Sequence, residues 1–310
     1  MRKLGMSVVA AVLLLAGAHS AFAGGPNVYP DGAEGFWMGA APPPGFYYVN
    51  YDLWYTSDKY IENSGREAKV GPMADFKLTV LANVSRFLYV SKTQVFGGNW
   101  AAHMLVPIMD LKMHTGAGTV HAKGLGDIIV DPFILTWHSP NLHVVTGLDI
   151  YLPTSNYSEG RIANLGSNAF VWEPVLSFTW VTPVKGLAAS TQFRYDFPEG
   201  NNDFTHPFLP ASGELHYGQE FHMDYSVDYG VTDQWRVGLG GYFHKHITSD
   251  ELDGVELEGG KDQVFAIGPG VEYHNGPWFV QLRPQIEMWA KNKPEGISTW
   301  LRVTYSWPAK

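Results

Sequence analysis

Cysteine is absent from the 310 residues, and charged residues make up only 16% of them. The first absence removes disulfide scaffolds, zinc-thiolate clusters and thiol catalysis together. The second sets the chain below the roughly 25% charge of an ordinary soluble domain. Long apolar runs are also missing after the first two dozen residues, where nothing approaches the about 18 consecutive apolar residues of a membrane-spanning helix. A helical membrane protein is excluded. Bases are scarce, 21 Lys and Arg against 30 Asp and Glu, which argues against nucleic acid or an anionic membrane surface as partner. What the chain has in excess is aromatic, with 17 Phe, 16 Tyr and 11 Trp, too many for a disordered segment. A mean hydropathy of -0.11 leaves two classes, a single soluble domain or a membrane β-barrel.

Residues 1–23, MRKLGMSVVAAVLLLAGAHSAFA, place Arg2 and Lys3 before an apolar run from Val8 to Leu15 and end on Ala21-Phe22-Ala23. That is the pattern of a secretory signal peptide cleaved after Ala23. Without it the chain keeps 19 bases and 30 acids, a net charge of -11. Residues 24–44, GGPNVYPDGAEGFWMGAAPPP, carry five Pro and show no alternation. Tyr29, Phe36 and Trp37 make this arm too aromatic for a simple tether. It is expected to enter a barrel lumen from the periplasmic side as a plug, with a flexible periplasmic arm as the alternative.

From residue 45 to 310 the chain reads as one barrel domain, because period-two alternation recurs throughout. Phe221, Met223, Tyr225, Val227 and Tyr229 alternate with Glu220, His222, Asp224, Ser226 and Asp228. Phe76, Leu78, Val80, Ala82 and Val84 alternate with Asp75, Lys77, Thr79, Asn83 and Ser85. Such runs exceed the about 5 to 6 residues of a soluble sandwich strand and suit an antiparallel, up-and-down transmembrane β-barrel. Twelve strands are predicted near 45–58, 74–90, 94–109, 124–138, 141–153, 167–182, 186–197, 219–231, 234–246, 261–274, 277–290 and 296–307. Connections after strands four, six, eight and ten are short (139–141, 182–185, 232–233 and 275–276). Those after odd strands are long (57–73, 110–123, 154–166, 198–218 and 248–260), 291–295 excepted. Bacterial outer-membrane barrels alternate short periplasmic turns with long outer loops in this way, so both chain ends are expected on the periplasmic side. Trp137, Trp180, Trp235, Tyr273 and Trp278 sit beside the short turns, where an interfacial aromatic girdle belongs. Glycines within strands, among them Gly97, Gly98, Gly238 and Gly270, leave room on a crowded lumen side.

If the apolar sets face lipid, the lumen receives Asp127, Asp131, Asp149, Glu173, Arg194, Asp224, Asp228, Arg236, Glu272, Arg283, Glu287 and Arg302. Mixed acids and arginines in a lumen form a paired stabilising network, line a permeation path, or do both. His103, His143, His222, His244 and His274 point the same way, but they come from five strands spread around the wall. No metal set and no cofactor motif is expected. Gly124-Leu125-Gly126 lacks the third glycine and the helix of a dinucleotide loop. No G-x-S-x-G motif and no outward Ser/His pair at an outer rim is found, so an enzyme is not expected. The acidic stretch 249–258 departs from the calcium-loop pattern and reads as a solvated loop.

Several stretches together resemble a bacterial family labelled "protein involved in the meta-pathway of phenol degradation". They are Tyr29-Pro-Asp-Gly-Ala-Glu-Gly, Ala41-Pro-Pro-Pro-Gly-Phe-Tyr, Gly124-Leu-Gly-Asp-Ile-Ile-Val-Asp-Pro, Gly147-Leu-Asp-Ile-Tyr-Leu-Pro-Thr, Glu173-Pro-Val-Leu and Ala266-Ile-Gly-Pro. The resemblance covers nearly the whole chain after residue 23. It implies an outer-membrane barrel associated with catabolism of aromatic or other hydrophobic compounds, and it brings no catalytic residues. One departure is at the end, where Trp307 is followed by Pro308-Ala309-Lys310 rather than closing the chain. The leading expectation is therefore a Gram-negative outer-membrane channel for uptake of small hydrophobic molecules, aromatic ones among them, by passive or gated diffusion. Its partners would be outer-membrane lipid and lipopolysaccharide, the barrel assembly machinery and the small substrate, with Phe204, Phe208 and Leu209 offering aromatic and apolar contacts outside. A non-conducting structural or surface-interaction barrel is the alternative, and a lipid-modifying enzyme the third reading.

Overall fold

The computed structural model describes residues 29–206, 211–257 and 260–308. The signal-peptide segment 1–23, residues 24–28 of the arm, and Phe208 and Leu209 lie outside the described residues. Twelve long strands form the wall: β1 Gly45–Ser57, β2 Lys77–Val95, β3 Gly98–Thr115, β4 Ile128–His138, β5 Leu142–Leu152 and β6 Val171–Val181, then β7 Leu187–Pro198, β8 Glu220–Gly230, β9 Trp235–His246, β10 Gln263–Asn275, β11 Trp278–Lys291 and β12 Ile297–Pro308. Each pairs antiparallel with its sequence neighbours, and β1 pairs with both β2 and β12. The sheet therefore closes on itself and leaves no free edge. No helix occurs among the described residues.

The wall matches the twelve predicted strands, with three differences. The turn between β2 and β3 falls at Phe96-Gly97, not at residues 91–93. Both turn residues have positive φ, 52° and 77°, the two-residue geometry that suits the twist of a hairpin. Gly97 is thus a turn glycine rather than a strand glycine. Residues 118–125, assigned in part to a loop, form the short strand Gly118–Leu125, which pairs with the outer half of β3 and extends the wall there. The long loops also carry structure. Gly200–Thr205, Ser212–His216, Glu251–Leu252 and Val255–Glu256 form a four-stranded cap. Within that cap Asp250 is buried and accepts from the Gly218 amide at 2.7 Å, while Asp253 accepts from the Glu214 amide at 2.9 Å. The acidic stretch is tied down by these contacts rather than simply solvated.

Aromatic side chains ring the short-turn end. Trp235 packs on Tyr273 with centroids 4.7 Å apart, Trp278 on Tyr305 at 4.6 Å, and Tyr305 on Trp307 at 4.3 Å. Above them the outer wall exposes Leu176, Val227, Val237, Leu239, Leu282 and Ile286, the apolar band that a lipid-facing wall needs.

The inner face has two unlike sides. On β7, β8 and β11 polar residues point inward, as alternation requires: Glu220, His222, Asp224, Ser226 and Asp228 of β8 are all buried. On β2 the expected sense is inverted. Val80, Ala82, Val84, Leu88 and Val90 are buried inside the barrel, whereas Leu81, Asn83, Phe87 and Tyr89 are exposed on the outside. The physical reason lies in the lumen, where Val84 joins Val49, Tyr51 and Trp300 in a cluster around Ala33 of the arm. Outside, Asn83 satisfies itself by donating to Asp52 at 2.6 Å and by exchanging hydrogen bonds with Asn50 at 3.1 and 3.2 Å.

Candidate functional site

Residues 29–44 lie inside the barrel, irregular and without a strand of their own. An irregular backbone in a lumen needs partners for its amides and carbonyls, and the charged side of the wall supplies them. Asp224 accepts from the Tyr29 hydroxyl at 2.7 Å and from the amides of Gly32 at 3.1 Å and Glu34 at 3.2 Å. Arg283 donates to the carbonyls of Gly32 at 2.7 Å, Ala33 at 2.6 Å and Glu34. Glu34 receives Arg86 at 2.9 Å, with Arg302 at 3.7 Å. Asp31 faces His222 at 2.7 Å and His244 at 3.3 Å. Further down, Trp37 donates to Asp228 at 3.2 Å under the Arg236 guanidinium, which lies 5.0 Å from its ring.

Close approach is built in with glycine. A Cβ on Gly39 would stand 2.3 Å from the backbone of Phe178, and one on Gly270 would stand 2.7 Å from the Phe36 ring. Gly270 therefore uses its missing side chain to admit an arm residue, and Gly39 lets the arm touch the wall directly.

Burial disfavours ionisation of Asp31 and Glu34, yet their cationic neighbours outweigh it. His222 and His244 beside Asp31, and Arg86 and Arg302 beside Glu34, hold both carboxyls below the ordinary carboxylate range.

The arm splits the lumen. On the outer side a cavity of about 420 Å³ is floored by Tyr29, Pro30 and Asp31. Its walls include Leu53, Leu78, Val80, Pro107, Met109, Leu111, Met113, Ile162, Phe204 and Trp300. On the inner side a cavity of about 810 Å³ opens among the short turns and is roofed by Glu34, Phe36 and Trp37. Between them lies a crevice of about 20 Å³, lined by Ala33, Val84, Leu105 and Tyr151 on one side and by Glu34, Arg86, Asp149 and Arg194 on the other.

The twelve residues singled out in sequence fall into four groups. Arg194 joins Asp149 at 2.7 Å and Glu173, and its guanidinium lies 4.2 Å from the Tyr29 ring. Asp224, Asp228, Arg236, Arg283 and Arg302 contact the arm, as described above. Glu272 bonds Gln281 at 2.9 Å and Arg302 at 3.4 Å, while Glu287 accepts from Tyr55 at 2.7 Å and Tyr242 at 2.5 Å. Asp127 and Asp131 serve the backbone instead. Asp127 lies between the short strand and β4, not within a strand, and receives the amides of Thr154, Ser155 and Ser167 at 2.9 to 3.1 Å. Asp131 precedes Pro132, which cannot donate to the ladder, and accepts from the amides of Phe133 at 2.8 Å and Leu148 at 2.7 Å around the resulting irregularity.

Two features escaped the sequence reading. One is the apolar inner side of β2 and β3. The other is the convergence of His222 and His244, whose rings are 4.6 Å apart. Both lie eleven residues from Asp233 in one hairpin and are direct cross-strand partners, so the turn position alone brings them together. His103 pairs with Asp149 at 2.8 Å, and His143 with His138 at 2.9 Å near the short turns. His274 stacks on Phe279 with centroids 4.1 Å apart.

A closed twelve-stranded antiparallel barrel with an outward apolar band is the architecture of an outer-membrane β-barrel protein. Within it, residues 57–303 match the family described as "Putative MetA-pathway of phenol degradation", and the chain belongs to that family. No curated protein sequence matches it. Among solved structures, an outer membrane channel from Pseudomonas putida F1 superposes with a TM-score of 0.77 at 17% identity, over 88% of this chain and 99% of that one. The translocator domain of the autotransporter NalP from Neisseria meningitidis gives a TM-score of 0.49 at 11% identity, over 86% of this chain and 90% of that one. A mutant of the TodX monoaromatic hydrocarbon channel gives 0.47 at 10%, over 90% and 93%. The last two likenesses are too weak to bear on function.

Proposed function

We propose that the protein is an outer-membrane channel for uptake of small hydrophobic compounds, aromatic ones among them, gated by its N-terminal arm. The observation that carries this reading is the outer cavity of about 420 Å³. It is large enough for a ring-bearing solute, is lined largely by Leu, Val, Met and aromatic side chains, and lies on the side of the long loops. A hydrophobic solute gains by leaving water there, at about 25 cal/mol per Å² of apolar surface buried. The arm then stands between that cavity and the wider inner one, so passage requires it to yield. Family membership, the outward apolar band and the aromatic girdle support the outer-membrane location. Secretion by cleavage after Ala23, contact with lipopolysaccharide and insertion by the barrel assembly machinery complete the proposal, and catalysis has no part in it.

Uptake of a panel of radiolabelled aromatics by cells with and without the gene tests this directly. Equal uptake across the panel would overturn it. The second reading, a non-conducting surface barrel, draws on the ion-paired arm. Removing residues 26–42 separates the two, because a gate predicts a clear rise in single-channel conductance and a filled structural barrel predicts none.

A further inference from the structure

On the wall facing the arm, buried carboxylates outnumber fixed cations. Glu173, Asp196, Glu220, Asp31 and Asp262 gather around His222 and His244, and all but Asp31 are buried. Arg194 and Lys293 are the fixed positive charges that bond members of this group. Uncompensated charge in such a place is costly, so the excess calls for a further cation.

The geometry says where. Asp31 takes the Nδ1 side of His222 at 2.7 Å, so a cation that displaces the Nε2 proton of this ring would leave Nδ1 as the N–H donor to Asp31 and meet an Nε2 lone pair aimed away from the arm. Nε2 faces Asp196 Oδ2 at 3.4 Å and Glu220 Oε2 at 3.5 Å. Neither carboxylate of Asp196 and Glu220 has a hydrogen-bond partner of good geometry, and neither has His222 Nε2 nor the second oxygen of Glu173. Glu173, Asp196 and His222 each offer an atom within 4.8 Å of the others. Glu173, Asp196 and His222 thus form one three-ligand set, and Glu220 borders it through His222 Nε2 alone. Zinc bound to nitrogen and oxygen at about 2.0 to 2.2 Å sets neighbouring ligand atoms about 3.4 Å apart in a tetrahedron, which is the spacing of His222 from Asp196 and Glu220. The neighbouring set of Glu220, His244 and Asp262 is different, because Lys293 already stands 3.3 Å from Asp262 there.

We propose that Glu173, Asp196 and His222 form a binding site for a divalent transition-metal cation of the zinc type, with the fourth position left to water beside Glu220. Asp31 of the arm is its orienting carboxylate, the arrangement in which a ligating histidine donates its other nitrogen to an acid. The metal would pin β6, β7 and β8 together and hold His222 in the tautomer that grips the arm. By reciprocity, arm docking and metal binding strengthen each other. The outer cavity reaches Asp31 and Asp262 and provides the access path. This site does not depend on the transport reading.

The test uses the full-length barrel in detergent, stripped with a chelator, then titrated with Zn²⁺ by calorimetry and counted by elemental analysis. The expected result is one Zn²⁺ per folded chain, and Co²⁺ in its place giving the visible absorption of a tetrahedral site. Asp196→Asn combined with Glu173→Gln should remove binding. Asp31→Asn keeps every ligand and should weaken affinity about 10- to 100-fold, the range for loss of an orienting partner. The heat-dependent shift of the folded barrel on electrophoresis verifies that each variant is folded, and Asp31→Asn stands in if the double variant is not. A folded wild-type barrel that takes up no Zn²⁺ overturns the proposal and leaves protons shared among the acids as the compensating charge. Equal binding by wild type and the folded variants overturns it as well.

Discussion

The Tyr29 hydroxyl donates to Asp224 at 2.7 Å, across 195 residues of chain. The same carboxylate also receives two arm amides, so one wall residue fixes three donors of a segment that has no strand partner. Hydrogen bonds to a charged group contribute about 1.5 to 3 kcal/mol each. Asp224→Ala is therefore expected to release the arm while the barrel stays closed. The absence of cysteine permits a clean readout: Ala33→Cys, buried in the docked arm, should react with a maleimide at least tenfold faster in the Asp224→Ala background.

Gly39 makes a sharper test of contact. Its Cβ would meet Phe178 backbone atoms, which cannot move aside as a side chain end could. Gly39→Val should displace the arm from the wall beside Thr179, whose hydroxyl accepts from the Gly39 amide at 3.0 Å. Single-channel recordings should show higher conductance than wild type, approaching that of the 26–42 deletion, with no change in the thermal unfolding of the barrel.

Acid should also loosen the arm. Asp31 and Glu34 have pKa values lowered in the docked state from their ordinary 3.8 and 4.5. A group whose value falls on docking binds fewer protons when docked, so it favours docking above its ordinary value and loses that contribution as pH falls through the lowered one. Docking should be constant in this respect above about pH 5 and weaken progressively below about pH 4. Conductance recorded at pH 3.5 should exceed that at pH 6.

The outer cavity offers a test of the substrate class. Val80 is buried and lines it, and Val80→Asp would place a charge where an apolar solute is to shed water. Aromatic uptake should fall about tenfold or more, since losing the burial of one such side-chain contact area costs on the order of 1.5 kcal/mol. Ion conductance of the variant carrying the 26–42 deletion should not fall, which separates loss of affinity from a blocked path.

Much of the wall was legible in sequence. In β8 the polar and apolar sets separate cleanly, because one side meets lipid and the other a charged lumen. β2 misled for a reason that alternation cannot contain: the period gives two faces but not which one is inside. There the inner face meets the apolar side of the arm and the outer cavity, so Val80, Ala82 and Val84 turn inward. The turn at Phe96-Gly97 was missed because Phe at a positive φ is uncommon. Asp127 and Asp131 carry the same residue type as Asp224 but serve backbone amides, a distinction that needs the loop and the proline irregularity to be seen in three dimensions.

The anchoring of the arm also constrains the order in which the molecule can be put together. Its partners on β8 and β11 come from late in the chain, Arg283 reaching back 251 residues to Gly32. Contacts of such separation form only after the intervening chain is ordered. The described residues that come first in the sequence are therefore among the last to find their places. Until β8 and β9 are in the sheet Asp31 lacks its two histidines, and until β11 is there the Gly32 and Ala33 carbonyls lack Arg283, so the nascent barrel is an open vessel. Closure of β1 on β12 and filling of the lumen become one late event, and a variant slow in docking would expose itself as a barrel that assembles on time but leaks.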